Sequence, residues 1–374
     1  MSADREKKRV GISGSYGGLN LGDEAILKVI VTELRRSMPV EITVFTRDAE
    51  NTRRNHDVDH VVQARDVPRN EALKVLKELD LFILGGGGIL YDAEAETYLR
   101  EVVLAHEAGV PVMVYAVSAG PLKDRNNRSL VRDALNPVAA ITVRDRQSLQ
   151  LFEEIGVQKE ILMTADPVVL LEPESLSQGD IPLAEALDMK ARLIGLSVRE
   201  LGPAAPDIDI EHYHRLVANA ADFLIDRFEA EVVFFPLERR MYDVQHSHGV
   251  VAQMRHAQHA TVLRREYSPG QLVTLMKHFD FTVGMRLHFL IFSALAGVPF
   301  MGLPYATKIS GFLEELRLEA LGLENISAGQ LIARIDRAWG MRDELRTRIH
   351  TALQEMQHRA RENNKTVVRL LTEK

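Results

Sequence analysis

The chain predicts an α/β protein made of two doubly wound halves, each built on a largely parallel sheet. Three observations carry that prediction. Short apolar strand-like runs alternate with amphipathic helical stretches. The alternation breaks once, across the Pro-, Ser-, Gly- and acid-containing stretch Leu171 to Met189, and then restarts. Several strand-like runs also end directly in glycines or a cation, the positions where open α/β sheets gather ligands. At 374 residues the chain exceeds one ordinary core, so the expected division is residues 1–175, residues 190–340 and a C-terminal helix over 341–374.

In the first half, Arg9 to Ser13 predicts a buried strand, followed by a loop with glycines at 14, 17, 18 and 22. Asn20 or Gly22 caps a helix whose apolar residues Ala25, Ile26, Val29, Ile30 and Leu34 keep helical spacing, and Asp23 and Glu24 fall in its first turn. Glu41 to Thr46 is a strand, Leu73 to Leu79 a helix, and Asp80 to Leu84 a strand that runs into a loop of four glycines, Gly85 to Gly88. Helix Thr97 to Ala108 and strand Val110 to Val117 follow, then helix Ser129 to Leu135 and strand Ala140 to Val143. The last strand is succeeded by Arg144 and Asp145. Helix Ser148 to Ile155 and the short run Ile161 to Thr164 close the half.

The second half repeats the scheme with strand Leu193 to Val198, helix Glu211 to Phe228, strand Glu231 to Phe235 and a helix around Gly249 to His256. Its densest stretch is Asp280 to Gly311. An apolar strand reaches Gly284, Arg286 and His288 stand two residues apart, and an apolar helix runs from Phe289 to Ala296. A second strand, Val298 to Leu303, then delivers Tyr305 and Lys308. From Ala328 onward the pattern is helical, with an apolar stripe of Leu345, Ile349, Leu353 and Met356.

Composition excludes several classes. The net charge of -7 argues against a nucleic-acid binder, and 46% hydrophobic with 26% charged residues matches a soluble globular chain. The absence of cysteine suits a reducing cytoplasm. No signal peptide and no membrane-length apolar run is read, so contact with a lipid-linked substrate is expected from the membrane's inner face, peripherally at most. No metal site is expected, because His246, His248, His256 and His259 lack helical spacing with converging carboxylates.

The first glycine loop is not a P-loop, since Asp23 and Glu24 stand where Lys and Ser or Thr would be needed. It reads either as a tight capped turn or as a loop in which the Gly17 and Asn20 backbone approaches a substrate while Asp23 binds or deprotonates a hydroxyl. Gly86 and Gly87, in the second glycine run, read as a close backbone approach to a ligand. Arg144 and Arg199 each follow a buried strand, a placement suited to carboxylate or phosphate binding, although Arg144 could instead pair with Asp145 or Asp166. Arg286, His288 and Lys308 together read as an anion site. The plainer alternative for His288 is a core histidine.

The blocks GSYGGLNLGDEAIL, GGGGIL, ITVRDRQSLQLFEEIGV, ADPVVLL, IGLSVRE, GMRLHFLIF and GVPFMGLPYATKISGFLEEL together resemble the polysaccharide pyruvyl transferases, in that family's order, from residue 10 to about 316. The resemblance implies a GT-B-like architecture of two Rossmann-like domains facing across a cleft, with the C-terminal helix returning to the first. It implies phosphoenolpyruvate as donor, a glycan or lipid-linked saccharide of the cell envelope as acceptor, a ketal product, and no cofactor. The positions matching Arg144, His288 and Lys308 are implicated in that family's active site, and Arg286 belongs to the same RLH motif. His288 is then the expected acid, Arg144, Arg286 and Lys308 the anion clamp, and Asp23 the base on the sugar. Departures at Gly18-Leu19 and Ala306-Thr307 leave the acceptor open. The competing expectations are a glycosyltransferase using a nucleotide sugar and a non-catalytic sugar-phosphate-binding protein.

Overall fold

A computed structural model describes residues 7–18, 20–176, 187–188, 190–200, 209–238, 242–305, 307–320, 322 and 326–373. In the first half, short apolar runs make the strands, and each is separated from the next by a helix. The order is β1 (Lys8–Ser13), α1 (Leu21–Ser37), β2 (Val40–Thr46), α2 (Ala49–Asn55), β3 (His60–Gln63), α3 (Arg69–Leu76), β4 (Leu81–Leu90), α4 (Ala95–Glu107), β5 (Val112–Ala119), α5 (Arg125–Leu135), β6 (Ala140–Val143), α6 (Arg146–Glu154) and β7 (Ile161–Met163). All seven strands pair in parallel in the order β3-β2-β1-β4-β5-β6-β7. The winding reverses between β1 and β4, where crevices form at the carboxyl ends of such sheets. Val10, Ile12, Ile42, Val44, Ile83 and Val114 are fully buried, as strands covered on both faces require.

The second half continues with β8 (Arg192–Ser197), α7 (Ile210–Phe228), β9 (Ala230–Phe234), α8 (Asp243–Val251), β10 (Ala260–Val262), α9 (Pro269–Met276), β11 (Phe281–Gly284), α10 (Leu287–Leu295), β12 (Phe300–Gly302), α11 (Thr307–Glu315), α12 (Ala328–Gly340) and α13 (Arg342–Thr372). Its five parallel strands are ordered β10-β9-β8-β11-β12, so the reversal falls between β8 and β11. Ser268 and Ser327 begin α9 and α12 with reciprocal capping boxes to Gln271 and Gln330.

The chain divides into two units, the first comprising Met1–Gly18, Asp23–Leu171 and Met356–Lys374, the second Leu19–Gly22 and Glu172–Glu355. The last turns of α13 are therefore part of the first unit. There the Thr164 hydroxyl donates to buried Asn363 Oδ1 at 2.8 Å, and Gln357 Nε2 donates to the Val169 carbonyl at 2.9 Å.

Two sequence expectations are corrected. Gly85 to Gly88 do not form a loop. They continue β4, with Gly85 opposite Tyr115, Gly87 opposite Val117 and Gly88 opposite Ser118. A Cβ on Gly85 would lie 2.5 Å from the Tyr16 hydroxyl, and one on Gly86 2.5 Å from Ile26 Cγ2, so close packing selects glycine inside a strand. The helix expected around Gly249 to His256 lies earlier, as α8. The elements α2, β3, β10, α9 and α11 had no expectation, since most are too short or too polar for periodicity to register.

Candidate functional site

In the first unit, the turn after β1 is held by a buried carboxylate. Glu24 Oε1 accepts the backbone N–H of Gly17 at 2.9 Å and of Gly18 at 2.8 Å, while Oε2 meets His56 Nε2 at 2.7 Å. Burial alone would raise the Glu24 pKa. The hydrogen bond and charge of His56, with the two glycine N–H groups, outweigh it and hold the carboxylate below its ordinary range. Both glycines take left-handed φ, and a Cβ on Gly17 would meet the Asp48 nitrogen at 2.7 Å. The glycines thus serve the turn itself, and Glu24, which the sequence offered only as a first-turn acid, is its anchor.

Asp23 has Oδ1 3.5 Å from where a Cβ on Gly87 would sit, so it faces the carboxyl end of β4. Gly87 has φ +96, which favours glycine, whereas Gly86 is filled by Ile26 and serves helix packing. Gly88 is the exposed residue of β4, and a Cβ there would lie 3.6 Å from Arg144 Nη2. Arg144 itself is buried at the end of β6. Its Nη1 bonds Asp166 at 2.7 Å, while Asp145 lies 3.9 Å from Nε and caps α6 through Ser148. The pairing alternative for Arg144 is therefore realised, with its second amino group turned toward the exposed glycine.

In the second unit, the carboxyl ends of β8, β11 and β12 collect cations. Arg286 directly follows Met285 at the end of β11 and begins α10. Its Nε donates to Asp243 at 3.0 Å, Nη2 donates to Glu238 at 2.7 Å and also to Asp243. Asp243, fully buried on α8, is fixed in turn by the N–H groups of Leu237 and Glu238. Burial would lower the Arg286 pKa, but Asp243 and then Glu238 raise it further, so the group stays charged. Two carboxylates thus orient Arg286.

Arg199, two residues beyond β8, donates Nη1 to the Tyr305 hydroxyl and lies 4.5 Å from that ring's centroid. Its backbone N–H donates to the Tyr213 hydroxyl at 3.2 Å. Tyr305 is buried, which would raise its pKa, yet the charges of Lys308, Arg199 and Arg286 bring it below the ordinary phenol value. The potential there is thus positive despite Asp243 and Glu238. Lys308 occupies the first turn of α11 and is half-buried. His288, in the first turn of α10, is buried, and its Nδ1 lies 1.8 Å from where a Cβ on Gly22 would sit. Gly22 belongs to this unit through Leu19–Gly22. In that segment Asn20 Oδ1 accepts the Gly22 N–H at 2.9 Å and the Leu21 N–H donates to the Leu237 carbonyl at 2.9 Å. Asn20 thus acts as a helix cap.

The structure brings Arg199, Arg286 and Lys308 to one end of the second sheet, and Asp23, Gly87 and Arg144 to the carboxyl end of the first. Glu24, Tyr305, Asp243 and Glu238 were missed as partners. Tyr305 alone had a signal, its place between a strand end and Lys308.

The family model for polysaccharide pyruvyl transferases matches residues 20–307, from the capping Asn20 to the residue before Lys308. The chain belongs to the polysaccharide pyruvyl transferase family. The chain is 21% identical over 295 residues to the amylovoran biosynthesis protein AmsJ of Erwinia amylovora, covering 75% of this chain and 70% of that one. Among solved structures, this pyruvyl transferase family member resembles UDP-GlcNAc 2-epimerase from Neisseria meningitidis bound to UDP-GlcNAc. The TM-score is 0.66 at 10% identity, over 97% of this chain and 100% of that one. It also resembles HepE of Anabaena in complex with UDP-glucose, with a TM-score of 0.64 at 13% identity, over 98% and 100%. These likenesses establish a GT-B-type fold of two Rossmann-like units.

Proposed function

We propose that this chain transfers the pyruvyl group of phosphoenolpyruvate to a sugar of a polysaccharide or of its lipid-linked precursor, forming a ketal and releasing phosphate. The observation that carries this reading is the cationic end of the second sheet, where Arg199, Arg286 and Lys308 surround an acidified Tyr305 near the reversal of winding. Phosphoenolpyruvate presents a carboxylate and a phosphate, and a ligand with two anionic groups needs two or more fixed cations. Arg199 and Lys308 make the direct contacts in this reading, with Arg286 as the immobile charge behind them.

His288 protonates the methylene carbon, leaving an oxocarbenium-like centre at C2. A sugar hydroxyl adds there and gives up its proton, and a second hydroxyl then displaces phosphate. No helix among the described residues is long and apolar enough to cross a membrane, so a lipid-linked acceptor would be met from the membrane surface.

Phosphate release from phosphoenolpyruvate, screened against hexose and N-acetylhexosamine acceptors, tests the reading. Acceptor-dependent release with a ketal in the product is expected. Release of UDP from a UDP-sugar, with phosphoenolpyruvate inert, would replace pyruvyl transfer by glycosyl transfer.

A further inference from the structure

We propose that Tyr305 is a second catalytic acid–base group, the one that protonates phosphate as it departs. This rests on the pyruvyl-transfer reading and deepens it by dividing the proton chemistry between two residues. His288 serves the methylene carbon, and Tyr305 the leaving group.

The geometry singles this phenol out. Tyr305 stands three residues past β12 and three before Lys308, at the cationic sheet end, and is 6% exposed. Because its oxygen accepts a hydrogen bond from Arg199, its own O–H remains the donor toward another group. The stacked Arg199 guanidinium holds the ring's orientation as well. Tyr213 provides an internal control. It is also buried and also bonded to Arg199, through the backbone N–H alone, and burial pushes its hydroxyl well above the phenol range. Arg199 and Arg286 favour the phenolate of both tyrosines, but only at Tyr305, with Lys308 added, do the cations outweigh burial.

The step balances. After the first addition, C2 carries methyl, carboxylate, one sugar oxygen and phosphate. The C2–O bond to phosphate breaks, its electron pair goes to the phosphate oxygen, and that oxygen takes the Tyr305 proton. The resulting phenolate is held by Arg199 and Lys308. The second sugar hydroxyl forms the new C2–O bond and gives its proton to the phenolate, restoring Tyr305. No redox partner is required.

Tyr305→Phe tests this, because it keeps the ring beneath Arg199 and removes only the O–H. Phosphate release should slow by about 10²–10⁴-fold, with the KM for phosphoenolpyruvate changed by less than about threefold. A phosphate-bearing sugar adduct should accumulate in base-quenched reactions. Ultraviolet titration of the wild type should show one tyrosine ionising below the ordinary phenol pKa of about 10, a transition missing from the variant. Wild-type turnover in Tyr305→Phe, a pure rise in KM, or identical titrations would each overturn the role of Tyr305 alone. A wild type inert toward phosphoenolpyruvate would remove the pyruvyl-transfer reading, and this role with it.

Discussion

The two sheets share one winding plan and differ in the charge at their carboxyl ends, and tyrosines report the difference. At the first, Tyr16, Tyr91 and Tyr98 are all shifted upward, chiefly by burial, with the Asp23 carboxylate adding to each; Tyr91 reaches about 12. At the second, Tyr305 is also buried, yet Lys308, Arg199 and Arg286 shift it down. Topology therefore says where a ligand site can form, while the side chains decide the sign of what it binds. The first end sets the Asp23 carboxylate beside its tyrosines, and the second sets cations around Tyr305.

If that division is right, the largest losses come from the second unit. His288→Ala should slow phosphate release by about 10²–10⁴-fold while the protein stays folded. Gly22→Ala should do nearly the same, because its Cβ would displace the His288 ring. Circular dichroism with a phosphate-release assay checks both, and a fully active Gly22→Ala would show that His288 need not hold that position.

Arg286→Ala should cost about 3–5 kcal/mol of stability, since it strands buried Asp243, and chemical denaturation measures this. Lys308→Ala should instead raise the KM for phosphoenolpyruvate about 10–100-fold, the effect of one lost charged hydrogen bond. An unchanged KM would remove Lys308 from the clamp.

In the first unit, Glu24→Gln should cost about 1–3 kcal/mol and loosen the Gly17–Gly18 turn. The Glu24 pKa is depressed, so its stabilisation is complete above the unfolded value of 4.5 and is lost as pH falls through the lower folded value. Thermal melts of wild type and variant should therefore converge only in strong acid.

The second unit has its own acid sensitivity. His214 Nε2 and His246 Nδ1 share a hydrogen bond at 2.8 Å. Burial, then the neighbouring His246, lowers the pKa of His214. Burial also lowers that of His246, where Glu200 and Asp243 oppose and Arg199 and Arg286 assist. Because the unfolded imidazoles take up protons first, this pair loses stability as pH falls below 6.5. The smallest effect expected is a shallower decline of melting temperature between about pH 6.5 and 5 in His214→Gln.

The alternation of strands and helices was legible because buried parallel strands leave runs of apolar residues that periodicity detects. Arg199, Arg286, His288 and Lys308 stood out for the same reason, as polar residues interrupting apolar runs. What escaped was whatever depends on tertiary partners. Four glycines in a row read as a loop, and only the approach of Tyr16 and Ile26 shows why a strand needs them. Glu24 looked like a helix-dipole acid until His56 appeared beside it, and the carboxylates gripping Arg286 lie on the segment before α8 and on α8 itself.

The interrupted composition of the first unit has a consequence for synthesis. Thr164 and Asn363, bonded in its interior, are separated by 199 positions. At ribosomal speeds of about 5–20 residues per second, one emerges about 10–40 s before the other. The nascent first unit must wait through the translation of nearly all of the second, so the sheet that is translated earlier is completed later.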